Sequence, residues 1–248
     1  MEPSRNPGAL NRSRMNQCRH APPKEKGRQQ REMASKKLQP SPALLFQIGA
    51  TFRAYGYKAL TMEKLAEACN FTRRALYFYF SSKAEAFRAY TLFRNEVALS
   101  TSFEAGRKRW SDGGNALEIL SDVINIRYGD TRRLANASKH VVELNAEVFT
   151  RCNDIVRDVA LIFEADLTKL IIELQRAGLL HLRPDVTAEQ FSEALANGAR
   201  GVNQRLPAIA PAELANRYRE MCRFILLRMR RNTCRGRSQA AQEDEIED

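Results

Sequence analysis

The chain has 248 residues, of which 44% are apolar and 28% are charged, so it is long enough to bury one or two substantial hydrophobic cores. No apolar run approaches the ~18 residues that a membrane span needs and no secretory leader is evident, so we expect a cytoplasmic protein without a membrane partner. The five cysteines are an odd number without close pairing, which argues against a secreted disulfide framework.

The net charge of +11 is concentrated in the first 110 residues. Residues 1–40 carry 10 Lys and Arg against 3 Asp and Glu, residues 41–110 carry 11 against 5, and residues 111–248 carry 19 against 21. This asymmetry predicts an amino-terminal part that contacts a polyanion and a carboxy-terminal part with another task. An inert basic tail is the alternative interpretation of residues 1–40.

The two ends of the chain differ in composition from the rest. Residues 1–40 are polar and lack apolar periodicity, which predicts a disordered basic arm. Residues 231–248 carry basic and then acidic clusters, which predicts a second disordered segment. No proline occurs from Ala43 to Arg183, and apolar residues there recur at spacings of three and four. The pattern predicts an all-α protein.

The first predicted helix ends at Gly56, the residue type that most often terminates helices. Its apolar face consists of Leu44, Ile48, Phe52 and Tyr55. Thr61 is then the predicted cap of a short helix that carries Leu65 and Ala66.

A second short helix is predicted from Thr72 to Phe80, and Ser82 with Glu85 forms a capping-box pattern that opens a long helix. The sequence Asp112-Gly113-Gly114 predicts a break, after which Asn115 and Glu118 restart a helix. Thr131 is the predicted cap of one stretch that carries the apolar residues Leu134, Val141, Leu144 and Val148.

The clearest amphipathic helix carries a broad apolar stripe from Ile155 to Leu174 and ends at Gly178. Thr187 and Gln190 form another capping-box pattern, and Pro211 suits the first turn of the last helix.

Residues 60–80 have the pattern of two short helices around a tight turn. Asn70 falls at the turn, where a left-handed backbone is needed and Asn is the best substitute for Gly. Thr72 caps the second helix, which places Arg73 and Arg74 in its first turn. Because an arginine fork can bond guanine O6 and N7 together, this arrangement predicts a DNA-reading helix-turn-helix.

The segment resembles the DNA-binding domain of the TetR (tetracycline repressor) family of transcriptional regulators over roughly residues 43–90. The matching parts are Gly56-Tyr57, Leu60-Thr61 with Leu65-Ala66, Leu76-Tyr77-x-Tyr79-Phe80, and Ser82-Lys83. The resemblance implies an all-α fold with an amino-terminal three-helix DNA-binding domain containing the helix-turn-helix (41–88). A larger helical ligand-binding and dimerisation domain (89–230) would follow.

The resemblance also implies residue roles. Thr61 would contact a phosphate, and Tyr79 and Lys83 would hold the flanking backbone. The whole implied DNA-binding set is Thr61, Thr72, Arg73, Arg74, Tyr77, Tyr79 and Lys83, with Arg73, Arg74 and Tyr77 at base edges. The chain departs from the family pattern with Asn70 in place of Gly, with Phe71 in place of a smaller aliphatic residue, and with Arg74 in place of a commonly small one. The alternatives are a solvated face for Arg73 and Arg74, ordinary surface positions for Tyr79 and Lys83, and a core position for Tyr77.

The family resemblance implies a dimeric regulator, most often a repressor, that binds a palindromic operator and is released by a small-molecule inducer. The two carboxy-terminal helical segments would pair across a two-fold axis, with a smooth surface at Ala194, Gly198 and Gly201; ordinary intramolecular packing is the alternative. The inducer pocket is undetermined, although Tyr128, His140 and Asn145 are polar groups on otherwise apolar helices.

The sequence contains no recognised catalytic motif and only three scattered histidines, so we expect no enzyme activity, no metal and no cofactor. Two alternatives to an inducible regulator remain: an all-α dimeric scaffold, and an architectural DNA-binding protein without an inducer.

Overall fold

The computed structural model describes residues 37–230, so most of the predicted basic arm (1–40) and the predicted tail (231–248) lie outside the described residues. Between residues 37 and 230 the chain is helical without a β-strand, and a single isolated bridge joins Leu182 to Arg230. The all-α prediction is confirmed. None of the helices described is long and apolar enough to cross a membrane.

Ten α-helices follow one another in the described part of the chain. They are α1 (Pro42–Tyr55), α2 (Met62–Ala68), α3 (Arg73–Tyr77), α4 (Lys83–Ser111), α5 (Ala116–Ile124), α6 (Thr131–Asn136), α7 (Val141–Arg151), α8 (Asn153–Arg176), α9 (Ala188–Gln204) and α10 (Leu214–Met229). A π-helical segment (Asn125–Asp130) joins α5 to α6, and a 3-10 turn (Pro211–Glu213) precedes α10.

Helix α1 ends at Gly56 as predicted, with φ at +76°. Its face is buried at Leu44, Ile48 and Phe52, but the prediction for Tyr55 is wrong, because that side chain is 55% exposed. Tyr57 is buried in its place. The chain turns at Gly56 and brings the Tyr57 ring against Phe52, with ring centroids 5.8 Å apart.

The capping predictions hold at five helix starts and differ in one detail. The hydroxyls of Thr61, Thr72, Ser82 and Thr187 each accept the expected amide hydrogen bond, and Asn115 and Glu118 complete a capping box. Glu85, however, does not complete a box with Ser82, because its carboxylate accepts the N–H and O–H of Ser81 at 2.7 and 2.6 Å.

The predicted helix start at Thr131 is wrong. Thr131 has helical dihedral angles, and its hydroxyl donates to the carbonyl of Arg127, so the chain runs without a break from α5 through the π-helical segment into α6. The break comes later, before Val141. There the Ser138 hydroxyl accepts the His140 N–H and donates to the carbonyl of Arg53 at 2.7 Å.

Two hydrophobic cores are buried in the described residues. The first is built by α1–α4 and Cys152, and the second by α5 and α8–α10. Helix α4 crosses from one to the other: Phe87 and Tyr90 belong to the first core, whereas Leu99 and Phe103 pack against the second. The domain boundary at residue 88 stays a prediction.

Asn70 has φ at +56°, as predicted for the turn between α2 and α3. We expect Asn70→Ala to lower the free energy of unfolding by about 1 kcal/mol, because an alanine side chain is strained in the left-handed region. Urea denaturation measures the change. Asn70→Gly is the matched control and should keep wild-type stability or exceed it, and equal stability of the two variants would contradict this explanation.

Candidate nucleic-acid interface

Helix α3 presents its first turn to solvent. The Thr72 hydroxyl accepts the Ala75 N–H at 3.1 Å and fixes the start of the helix. Leu76 is fully buried against the first core and anchors α3, whereas Arg73 and Arg74 are exposed. Tyr77 is 39% exposed and therefore lies at the surface. The helix ends at Tyr77, three residues before the predicted end.

Apolar side chains hold the two short helices of the motif together. Leu65, Ala66, Leu76 and Phe80 are buried. Phe71, which is larger than the aliphatic residue expected there, is half-buried with its ring edge against Tyr79 at 5.7 Å. Thr61 is exposed at the start of α2, where its hydroxyl accepts the Lys64 N–H at 3.3 Å. The capping residues Thr61 and Thr72 are thus both exposed, one at the start of each helix of the motif.

Arg73 is held by neighbours on both sides. Its guanidinium lies 2.6 Å from the carboxylate of Glu63, and it donates to the Tyr77 hydroxyl at 3.5 Å. The pKa of Glu63 is lowered by its own backbone amide, by the Thr61 hydroxyl and by the charge of Arg73, so the carboxylate is ionised at neutral pH. A base or phosphate that binds Arg73 must compete with this exposed ion pair, which is a weak competitor in water.

Lys83 connects α4 to the loop that precedes α2. Its ammonium donates to the carbonyls of Tyr57 and Leu60, both at 2.7 Å, and lies 4.4 Å from the centroid of the Tyr57 ring. Burial and the charge of Arg151 lower the pKa of this ammonium. Two of the three N–H donors of Lys83 therefore position the motif, and a phosphate contact through the third stays a prediction, as does the role of Tyr79.

Phe78 is an exposed residue of the motif that sequence reasoning missed. It follows the last residue of α3, and its side chain is 54% exposed. The signal was the spacing: Phe78 comes four residues after Arg74, so both belong to one helical face. An exposed apolar ring four residues after Arg74 suits contact with a thymine methyl group.

We expect Glu63→Gln to raise the affinity for DNA by about two- to fivefold, the scale of one exposed ion pair. The substitution removes a negative charge beside the phosphates and frees Arg73. Fluorescence anisotropy with labelled duplex DNA measures the change. Glu67→Gln, which removes the same charge from an exposed position of α2, is the control. An equal rise in both variants would attribute the effect to net charge and contradict a specific competition for Arg73.

The three polar groups noted for a ligand pocket are not brought together. His140 Nδ1 lies 3.5 Å from Glu143, beside the turn at Gly56. Asn145 lines a cavity of about 40 Å³ between α1, α4 and α7. Tyr128 packs edge-on against Phe163 in the second core, and burial raises the pKa of its hydroxyl.

Helix α3 is capped and exposed, and it packs with α2 in the arrangement of a helix-turn-helix motif. The motif lies in the predicted DNA-binding domain (41–88), called the DNA-binding head below. Residues 50–90 match the family described as bacterial regulatory proteins, tetR family. This match identifies residues 50–90 as a segment of the tetR type, and solved structures of TetR-family regulators share the helical fold of the chain. Among functionally curated proteins, none is significantly similar to the chain in sequence.

Three solved structures of similar fold align with this chain over 93% or more of their own length. A TetR transcription regulator from Haloarcula marismortui is 17% identical, with a TM-score of 0.57 over 75% of this chain and 95% of that one. A TetR-family regulator from Mesorhizobium loti is 16% identical, with a TM-score of 0.54 over 76% and 95%. SmeT, the repressor of a multidrug efflux pump of Stenotrophomonas maltophilia, is 13% identical, with a TM-score of 0.52 over 79% and 93%. At such identities the similarity shows the fold.

Proposed function

We propose that this protein is a transcriptional repressor that acts in the cytoplasm, binds a palindromic operator as a homodimer and is released by a small-molecule inducer. The observation that carries the proposal is the exposed face of α3, where Arg73, Arg74 and Tyr77 lie together on a short helix with a fully buried anchor at Leu76. Phosphate contacts set register on the duplex, whereas side chains on this face would read the bases.

The carboxy-terminal helices support a dimer. Phe224 and Leu227 lie three residues apart on α10, and both are about half exposed, whereas Tyr218 and Cys222 of the same helix are buried. Helix α10 thus has apolar side chains on two faces, and residues 37–230 cover only one of them. Gly198 of α9 lies against Met221 of α10 in the same chain, so the close helix approach at Gly198 is intramolecular. Apart from its chain neighbours and the backbone of its own helix, no described residue lies within 4 Å of the position that a Cβ atom would take at Gly201. We propose that α9 and α10 pair with their copies in a second protomer.

Several contacts connect the second half of the chain to the DNA-binding head. The backbone N–H of Lys58 donates to Glu143 of α7 at 2.6 Å. Arg88 of α4 pairs with Asp154 of α8 at 2.6 Å and also donates to the carbonyl of Arg151. An effector that shifts α7 or α8 relative to α4 would therefore move the head and change the separation of the two reading helices in a dimer.

Fluorescence anisotropy with DNA from upstream of the protein's own gene, against a shuffled duplex, tests the proposal. We expect at least ~10³-fold tighter binding to the first at near-physiological salt. Equal, strongly salt-dependent binding to both would indicate an architectural role. Absence of binding to either would favour a scaffold.

A further inference from the structure

Arg127 is a buried cation with no carboxylate paired to it in the described part of the chain. The residue is 7% exposed and lies in the π-helical segment. Among the described residues its Nε finds no hydrogen-bond partner, and its Nη2 donates to Asn95 Oδ1 at a long 3.4 Å. None of the acidic side chains in residues 37–230 forms an ion pair with it. Burial of a guanidinium without a counter-charge is strongly unfavourable, so the position requires an explanation.

The surroundings add positive charge and aromatic walls. Burial lowers the pKa of Arg127, and the charges of Arg94 and Arg200 act in the same direction. Arg200 is neutralised by Glu164 at 2.5 Å, but no described carboxylate pairs with Arg94, whose pKa is also lowered by burial. The guanidinium of Arg127 lies 5.4 Å from the ring centroid of Tyr128 and 5.6 Å from that of Phe163.

A structural role explains these features poorly. Replacement of a buried ionic group by a well-packed apolar residue is often neutral or stabilising, so an unpaired arginine does not strengthen a core. The wide π-helical turn that carries Arg127 is a rare conformation that is frequent at functional sites. An excess of buried positive charge, an unused N–H donor and flanking aromatic rings together describe a site for an anion with an apolar body.

We infer that Arg127 binds the carboxylate of an apolar monocarboxylic acid. The inference rests on the proposed function, in which the larger helical domain holds the effector. The unused Nε–H and the adjacent Nη2, which also makes the long hydrogen bond to Asn95, form the planar edge that a carboxylate engages with two parallel hydrogen bonds. Phe103, Phe163 and Tyr128, whose rings form a chain of contacts, would pack against the apolar body.

Asn95 relates this site to the DNA-binding head. It lies on α4, the helix that begins at Lys83, and its side-chain oxygen accepts the long hydrogen bond from Arg127. A carboxylate that engages Arg127 would compete with Asn95 for the guanidinium. Its binding would therefore change the packing of α4, which is the helix shared by both cores.

Thermal denaturation of the full chain tests the inference, with octanoate and 3-phenylpropanoate as probes and their neutral amides and inorganic phosphate as controls. We expect 1 mM of either carboxylate to raise the Tm of the wild type by about 2 °C or more, whereas amides and phosphate do not. Arg127→Met should have an unliganded Tm at or above that of the wild type and should lose the carboxylate shift. Arg107→Met, at an exposed arginine of α4, should retain it.

Three results would overturn the inference: no shift with either carboxylate, an equal shift with amides or phosphate, or a shift that persists in Arg127→Met. If Arg127→Met fails to fold, Arg127→Lys replaces it and must reduce the shift, because an ammonium lacks the planar edge. Operator binding separates this inference from the proposed function. A carboxylate shift that depends on Arg127 in a chain that binds no operator supports the site and overturns the repressor. A shift without any change in operator affinity overturns the role of the carboxylate as effector.

Discussion

Replacement of Arg73 by alanine is expected to weaken operator binding by about 10- to 100-fold, the discrimination that one bidentate base contact provides. Because Arg73 is exposed and makes only surface contacts with Glu63 and Tyr77, the Tm should stay at the wild-type value. Binding to shuffled DNA should change little, since non-specific affinity comes from phosphate contacts. Anisotropy titrations on both duplexes, with salt dependence, measure these quantities.

Arg107→Ala is the matched control for this prediction. The Arg107 side chain is 63% exposed against 61% for Arg73, and each pairs with a single glutamate, but Arg107 lies on α4 far along the chain from the motif. It should leave operator affinity unchanged. A different outcome for Arg73→Ala, namely equal losses on operator and shuffled DNA with a salt slope reduced by about one, would identify Arg73 as a phosphate contact and contradict base reading.

The motif was predictable because its signals are local. The hydroxyls of Thr61 and Thr72 accept hydrogen bonds from backbone amides three residues later in the chain. Asn70 adopts the left-handed backbone conformation of the turn, which depends on the type of that one residue. Such features depend on neighbours in sequence and not on the rest of the fold. The roles of these residues toward DNA remain predictions, since they depend on a partner that the sequence does not contain.

The wrong predictions concern features that tertiary contacts decide. Helical spacing placed Tyr55 on the buried face, but the turn at Gly56 lets the Tyr57 ring take the place beside Phe87. Thr131 has the residue type of a cap, yet packing continues the helix through a π-helical segment, which spacing alone does not signal. The burial of Arg127 was missed for the same reason: an arginine in a helical sequence is expected at the surface.

Introduction of charge into the uncovered face of α10 is expected to have the largest effect on operator binding. In Phe224→Glu combined with Leu227→Glu, two carboxylates would be buried against their copies in the proposed dimer, and the protein should become monomeric. A dimer binds the two half-sites of a palindrome with two linked reading helices, and a monomer lacks this gain in affinity. The affinity for the full palindrome should therefore fall by roughly 100-fold or more. Light scattering after size exclusion gives the oligomeric state, and anisotropy gives the affinity.

Two comparisons make this result specific to the dimer. Val142→Glu adds a carboxylate on α7, at an apolar residue that is more exposed than Phe224 and Leu227. This variant should leave both the oligomeric state and the operator affinity unchanged. On a duplex with a single half-site, the double variant and the wild type should bind equally, because each reading helix is intact. A double variant that stays dimeric would place the interface elsewhere, and one that loses half-site binding would show that the head itself was damaged. Tyr218 and Cys222 keep the opposite face of α10 in the second core, so its folding does not depend on the altered side chains.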